Sequence, residues 1–211
     1  IWNPVTAERM NIALQDNGQT STADLHLEAN ESAFIVFSNE QETGLTDYSP
    51  AERETLLTID TPWKVDFQKG MRGPDETYVM TELQTWDKNE DERIRYFSGT
   101  ATYTNTFKLK KQPDQPVWID LGRVMVMARV YVNNQYAGGV WTSPYRLNIQ
   151  HLLHKGTNTL RVEVVNNWQN RLIGDQKLPE NERPTWTSVN PWRADSPLQE
   201  SGLVGPVRLL Q

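Results

Sequence analysis

Apolar and polar residues alternate along this chain in short blocks rather than recurring every three or four positions. Trp63-Lys64-Val65-Asp66-Phe67 has the period of two expected of a strand with one face on a core and the other in water. Thr100 to Leu109, Val117 to Leu121, Val124 to Val132, Tyr145 to Ile149, Thr159 to Val165 and Pro206 to Leu210 read as further strands. Asn133-Asn134 supplies a turn into another strand, Gln135 to Trp141, and Gly70 to Pro74 is a turn cluster. His151 to His154 reads as one helical turn stopped by Gly156. The run Asp87 to Arg95, after Leu83 to Trp86, reads as a solvated loop. No helix-length segment of period 3.6 intervenes, so the pattern predicts an all-β sandwich and argues against a parallel α/β sheet or barrel.

The first 40 residues carry weaker strand signals. Arg9 to Leu14 alternates loosely, Asp16-Asn17-Gly18-Gln19 holds an Asn-Gly turn, and Ala23 to Leu27 alternates again. Ser32-Ala33-Phe34-Ile35-Val36-Phe37 is an apolar run of the kind a buried strand shows. Three such pieces cannot close a sandwich. Residues 1–47 therefore read as a small antiparallel β segment, the end of a preceding domain or a packed sheet, and 48–211 as the main domain. Residues 40–60 are polar and read as a connection.

Composition narrows the function classes. A net charge of -6 argues against a nucleic-acid surface, which needs clustered Lys and Arg. No apolar run approaches the roughly 20 residues of a bilayer-spanning helix. The absence of cysteine removes disulfides, thiol catalysis and thiolate metal sites. The opening Ile1-Trp2-Asn3-Pro4 shows no signal peptide and reads as a mature or excised start.

The closing residues carry a resemblance. Trp192-Arg193, Ser201-Gly202-Leu203 and Val207-Arg208-Leu209 resemble the ending of the sugar-binding jelly roll of glycoside hydrolase family 2, one of the galactose-binding-like folds. Ile1 to Pro4, Glu31 to Phe37, Tyr96 to Ala101 and Asn167 to Asp175 resemble the C-terminal portion of the large bacterial α-L-rhamnosidases of family 106. The resemblance implies a jelly-roll sandwich and a parent glycoside hydrolase exported to the periplasm or cell surface. It implies a carbohydrate substrate and a catalytic barrel domain in the same polypeptide. No barrel pattern matches here, so no catalytic residue is carried over. No cofactor is expected; galactose-binding-like folds often hold a structural calcium ion, but no ligand spacing for one is readable.

Asn166 to Glu200 is the strongest candidate site, since connections this long in compact domains tend to be functional or disordered. Trp168, Trp186 and Trp192 could stack on sugar rings, while Asn170, Arg171, Asp175 and Arg193 could read hydroxyls. The alternative is that the tryptophans plug the loop onto the sandwich and Arg171 bonds Asp175 or a carbonyl. Trp141 and Tyr145 flank Ser143-Pro144; a core role is expected for them, with a sugar platform as the rival. Trp63, Trp86 and Trp118 are expected in the core. His151 and His154 lack a nearby carboxylate and make a poor zinc site. Gly138-Gly139 reads as a bulge or close backbone contact rather than a phosphate loop. Glycoside hydrolysis needs two facing carboxyl groups, and no such pair is identifiable. The expected role is a non-catalytic accessory sandwich; the rivals are a purely structural interdomain sandwich and a free-standing lectin-like module.

Overall fold

The computed structural model describes residues 1–38, 43–49 and 53–211. Part of the expected connection at 40–60 lies outside the described residues. The chain divides into two compact units, Ile1–Arg53 and Glu54–Gln211.

The first unit is sparsely ordered into sheets. β1 (Met10–Asn11) pairs in parallel with β4 (Thr46–Asp47), and β2 (Gln15–Asp16) pairs antiparallel with β3 (Ser21–Thr22). The β2–β3 turn is the expected one: Asn17 Oδ1 accepts from the Gln19 and Thr20 amides at 3.0 and 2.8 Å. Three expectations fail, the first being an antiparallel segment throughout, since β1 and β4 are parallel. Ala23 to Leu27 forms no strand; the His26 amide and carbonyl instead bond the Tyr48 hydroxyl at 3.0 and 3.1 Å. The apolar run Ser32 to Phe37 is not buried; it contributes one bridge, Phe34 to Trp2, and Phe37 stands 74% exposed. The physical reason is that no layer formed by the described residues of this unit covers the run. Among the described residues of this unit, only Ile1 is buried, and an apolar run is driven into a strand by the surface it covers.

The second unit is a β-sandwich. One sheet has the order β12 (Gln135–Val140), β11 (Met127–Val132), β14 (Gly156–Val165), β8 (Thr100–Leu109), β6 (Trp63–Phe67) and β7 (Tyr78–Met80). The other has the order β13 (Arg146–Asn148), β9 (Trp118–Asp120), β16 (Arg208–Leu210) and β5 (Thr55–Thr58). A short antiparallel pair, β10 (Arg123–Met125) with β15 (Gly202–Gly205), accompanies the two sheets. Alternation decides which side chains point inward. Trp63, Val65, Phe67, Ala101, Tyr103, Phe107, Val130, Leu160 and Val162 share one buried cluster with Ile119, Leu121 and Leu209.

The segment Val124 to Val132, expected as one strand, is two. Its first part pairs with β15 and its second with β12 and β14, so the chain changes sheet at Val126. The charged run Asp87 to Arg95 is also not simply a solvated loop. Trp86–Lys88 forms a 3-10 turn and Glu92–Arg95 a short helix α1, capped by Asp91 Oδ1 accepting from the Arg93 amide at 2.8 Å. Trp86 and Ile94 are the buried anchors that hold it down. The Trp86 ring stacks on Tyr103 at 6.5 Å and meets Phe67 and Phe97 edge-on. Its Nε1 donates to the Tyr103 hydroxyl at 2.6 Å, which also accepts from the Leu203 amide at 3.2 Å. Burial pushes the Tyr103 phenol well above its ordinary range, so it stays neutral.

Gly202 explains part of the Ser201-Gly202-Leu203 ending. Its φ is +100°, and a Cβ there would lie 2.5 Å from Trp86 Nε1. Gly138 sits at a register shift between β11 and β12 and against Leu147, the bulge and close contact that the sequence suggested. Trp63 and Trp86 are core as expected, whereas Trp118 is half-buried. His151 and His154 are exposed.

Candidate functional site

The loops that carry the candidate residues leave one end of the six-stranded sheet. In register, Phe67, Ala101, Val164, Ala128 and Val140 form the last inward row, so β6, β8, β14, β11 and β12 all begin or finish there. The first residues beyond β14 are pinned to the start of β8. Asn166 Oδ1 accepts from the Gly99 amide at 3.0 Å, its Nδ2 donates to the Phe97 carbonyl at 2.8 Å, and Ser98 Oγ donates to the Asn167 carbonyl at 2.7 Å.

Asn166 to Glu200 is not the structureless loop that its length suggested. It contains the helix α2 (Gln169–Asp175) and a 3-10 turn at Glu180–Glu182. A helix of seven residues is marginal alone; tertiary contacts hold this one. Gly174 lets it approach the Tyr96 ring, which a Cβ would meet at 2.7 Å. Asn170 Nδ2 donates to the Gln199 carbonyl at 2.7 Å while its Oδ1 accepts from the Gln199 amide at 2.8 Å. Arg171 Nε and Nη2 reach Asp175 Oδ1 at 2.8 and 2.7 Å, and Asp175 Oδ2 accepts from the Thr185 amide at 3.1 Å. The middle of the loop, at Thr185, and its far end, at Gln199, are thus fastened to one helix near the loop's start.

These bonds separate the candidates into two groups. Asn170, Arg171 and Asp175 are buried, and their polar atoms bind within the protein. Trp186 and Trp168 stand 86% and 50% exposed, Arg193 is exposed and Trp192 is half-buried. Trp141, for which a core role was expected, is 64% exposed; Tyr145, across Ser143-Pro144, packs against the core. The register explains the reversal. Trp141 follows Val140, the inward-facing end residue of an edge strand, so alternation turns it away from the core. Val126 and Met127 are exposed at the same end. Exposed aromatic faces beside polar loops can stack on a flat apolar surface such as the C–H face of a sugar ring.

The buried aspartates Asp120 and Asp175 have structural partners, whereas the enclosed Asp87 Oδ1 has no hydrogen-bond partner among the described residues. Asp175 is held by Arg171, and Asp120 by Arg146 Nε at 3.0 Å and the Gly122 amide at 2.8 Å. Among the described residues, no three His, Asp or Glu side chains gather as a metal site, so no side-chain ligand set for the calcium ion that such folds often hold can be named.

The model of the glycosyl hydrolase 2 galactose-binding domain-like family matches residues 78–197. A putative β-glucuronidase of Formosa agariphila is 36% identical over 154 residues, covering 61% of this chain and 13% of that protein. The structure of a rhamnosidase from Novosphingobium sp. PP1Y superposes with a TM-score of 0.86 at 38% identity, covering 99% of this chain and 20% of that one. A β-glucuronidase from Ruminococcus gnavus shares the fold, with a TM-score of 0.54 at 18% identity over 77% of this chain and 30% of that one. The chain therefore spans a small part of the relatives it matches. With its family match covering more than half of the sequence, this chain belongs to the glycosyl hydrolase 2 galactose-binding domain-like family.

Proposed function

We propose that this chain is the non-catalytic accessory sandwich of a larger, exported glycoside hydrolase of the family 106 α-L-rhamnosidase type, acting on plant or complex glycans. The cleaving carboxylates lie in a barrel domain of the same polypeptide. The observation that carries this reading is the division of labour in Asn166 to Glu200. Asn170, Arg171 and Asp175 build a rigid frame, and Trp168 and Trp186 project from it. Similarity along 99% of the chain to a rhamnosidase five times its length supports the parent activity. The internal pairing of Asp175 and Asp120 supports a domain that positions rather than cleaves.

The test has two parts. The 211-residue chain is assayed on aryl α-L-rhamnosides and β-glucuronides, with no turnover expected. Turnover abolished by a single Asp or Glu substitution in this chain overturns the reading. In the full-length enzyme, Trp168→Ala and Trp186→Ala raise KM for oligosaccharides several-fold with little change in stability, each stacking contact being worth on the order of 1 kcal/mol. An unchanged KM favours the purely structural reading, for which the buried frame of Asn170, Arg171 and Asp175 is the supporting observation.

A further inference from the structure

We propose that the outward face of the six-stranded sheet, at its loop end, is a separate binding site for a neutral saccharide. It needs neither Trp168 nor Trp186 and goes beyond the role given above to the loop. The register aligns Asp66, Thr102, Glu163 and Arg129 on adjacent strands, β6, β8, β14 and β11. At about 4.8 Å per strand this row is ~14 Å long. The next row toward the loops holds Thr100, Val165 and Met127. Gln68, whose amide donates to the Thr100 carbonyl, flanks it on one side, and Trp141, one residue past Val140, on the other. Together Asp66, Gln68, Thr100, Thr102, Arg129, Glu163 and Val165 line a concavity of about 310 Å³, within the size range of small-ligand sites.

The chemistry of the floor selects the ligand class. Its groups are ordered before any ligand arrives. Asp66 Oδ1 accepts from Thr77 Oγ1 at 2.6 Å, Gln68 Oε1 accepts from the Thr100 amide at 3.1 Å, and Glu163 pairs with Arg161 and, at 3.9 Å, with Arg129. Arg161 in turn lies over the Tyr131 ring at 3.6 Å. A carboxylate offers about four acceptor positions, so these contacts fix Asp66 and Glu163 without exhausting them. An anion entering here meets the carboxylates of Asp66 and Glu163, and a cation meets the Arg129 guanidinium, with Arg161 already paired to Glu163. Hydroxyl groups, which both donate and accept, match an alternation of carboxylate, hydroxyl and guanidinium. The exposed side chains of Met127 and Trp141 supply an apolar rim for the ring face.

The experiment is an NMR titration of the isotope-labelled 211-residue chain with L-rhamnose and D-galactose, with D-glucuronate as the charged control. Expected are shifts of the Gln68, Thr102, Arg129 and Glu163 amides and of the Trp141 indole by a neutral sugar, and weaker binding of glucuronate. Thr102→Val and Trp141→Ala leave the spectrum folded and weaken the neutral sugar by about threefold and about tenfold. Tighter binding of glucuronate, shifts confined to Trp168 and Trp186, or no sheet-face shifts with any sugar overturns the proposal. Loss of the loop shifts alone in a Trp168→Ala variant, with the sheet-face shifts retained, supports it and separates it from the role of the loop.

Discussion

Gly202→Ala tests the packing argument most sharply. Two penalties combine at this position. A φ of +100° is outside the range L side chains favour, which costs roughly 1–3 kcal/mol. The new methyl would lie 2.5, 2.7 and 2.8 Å from three atoms of the Trp86 indole. Trp86 cannot retreat freely, because it is fully buried, stacked on Tyr103 and bonded to its hydroxyl. Overpacking of this kind costs about 1–3 kcal/mol. The sum, about 4 kcal/mol, is a large share of the 5–15 kcal/mol stability of a typical domain, and should lower Tm by about 10 °C. Gly156→Ala is the matched control, since its φ is +96° but nothing lies within 4 Å of the added carbon; it should lose only the conformational part, about 1–2 kcal/mol. Urea melts followed by tryptophan fluorescence and near-UV circular dichroism measure both. Equal losses for the two variants would refute the claim that contact with Trp86 sets the residue at 202.

Asp175→Ala strands the Arg171 guanidinium in a buried site and should cost about 3–5 kcal/mol in thermal melts, whereas Trp186→Ala should stay within about 0.5 kcal/mol. Asp91→Ala removes the cap of α1 and should cost about 1 kcal/mol. The side-chain bond from Arg93 holds the Asp91 carboxyl below its ordinary 3.8. That contribution is fully present above the unfolded value and fades as pH falls through the lower folded one, so acid melts of wild type and variant should converge there. Hydrogen exchange should find Phe34 to Phe37 less protected than Val162 to Val165, because the former run is exposed and the latter lies in a central strand.

The strands whose alternation is complete were legible in the sequence. Trp63 to Phe67 and Thr100 to Leu109 read directly as half-buried ladders, and that is how they lie. The change of sheet at Val126 was not legible, because Val124 and Val130 face the same apolar interior on either side of it. Helix α2 is too short to show a period, and its anchors, Gln199 and Tyr96, are remote in sequence. Ser32 to Phe37 reads as buried because its composition is apolar, yet burial depends on a facing layer. Tryptophan is ambiguous for a similar reason: Trp86 fills the core and Trp186 faces water, and only their neighbours in space distinguish them. The outward row of Asp66, Thr102, Glu163 and Arg129 emerges only once four strands are in register; residue by residue it reads as solvated charge.

The place of β16 has a consequence for how the molecule is made. This strand lies between β9 and β5, so Leu209 pairs with Ile119 on one side and Leu57 on the other. β5 is synthesised near the start of the sandwich, and its partner is synthesised at the end. On the ribosome the six-stranded sheet can pair early, since β8, β11, β12 and β14 are close in sequence, while β5 and β9 wait with open edges. The closing step has the largest loop to order and the highest contact order. Within the four-stranded layer β9 and β13 can pair locally, so it is the β5–β16 ladder whose formation waits for Arg208 to Leu210.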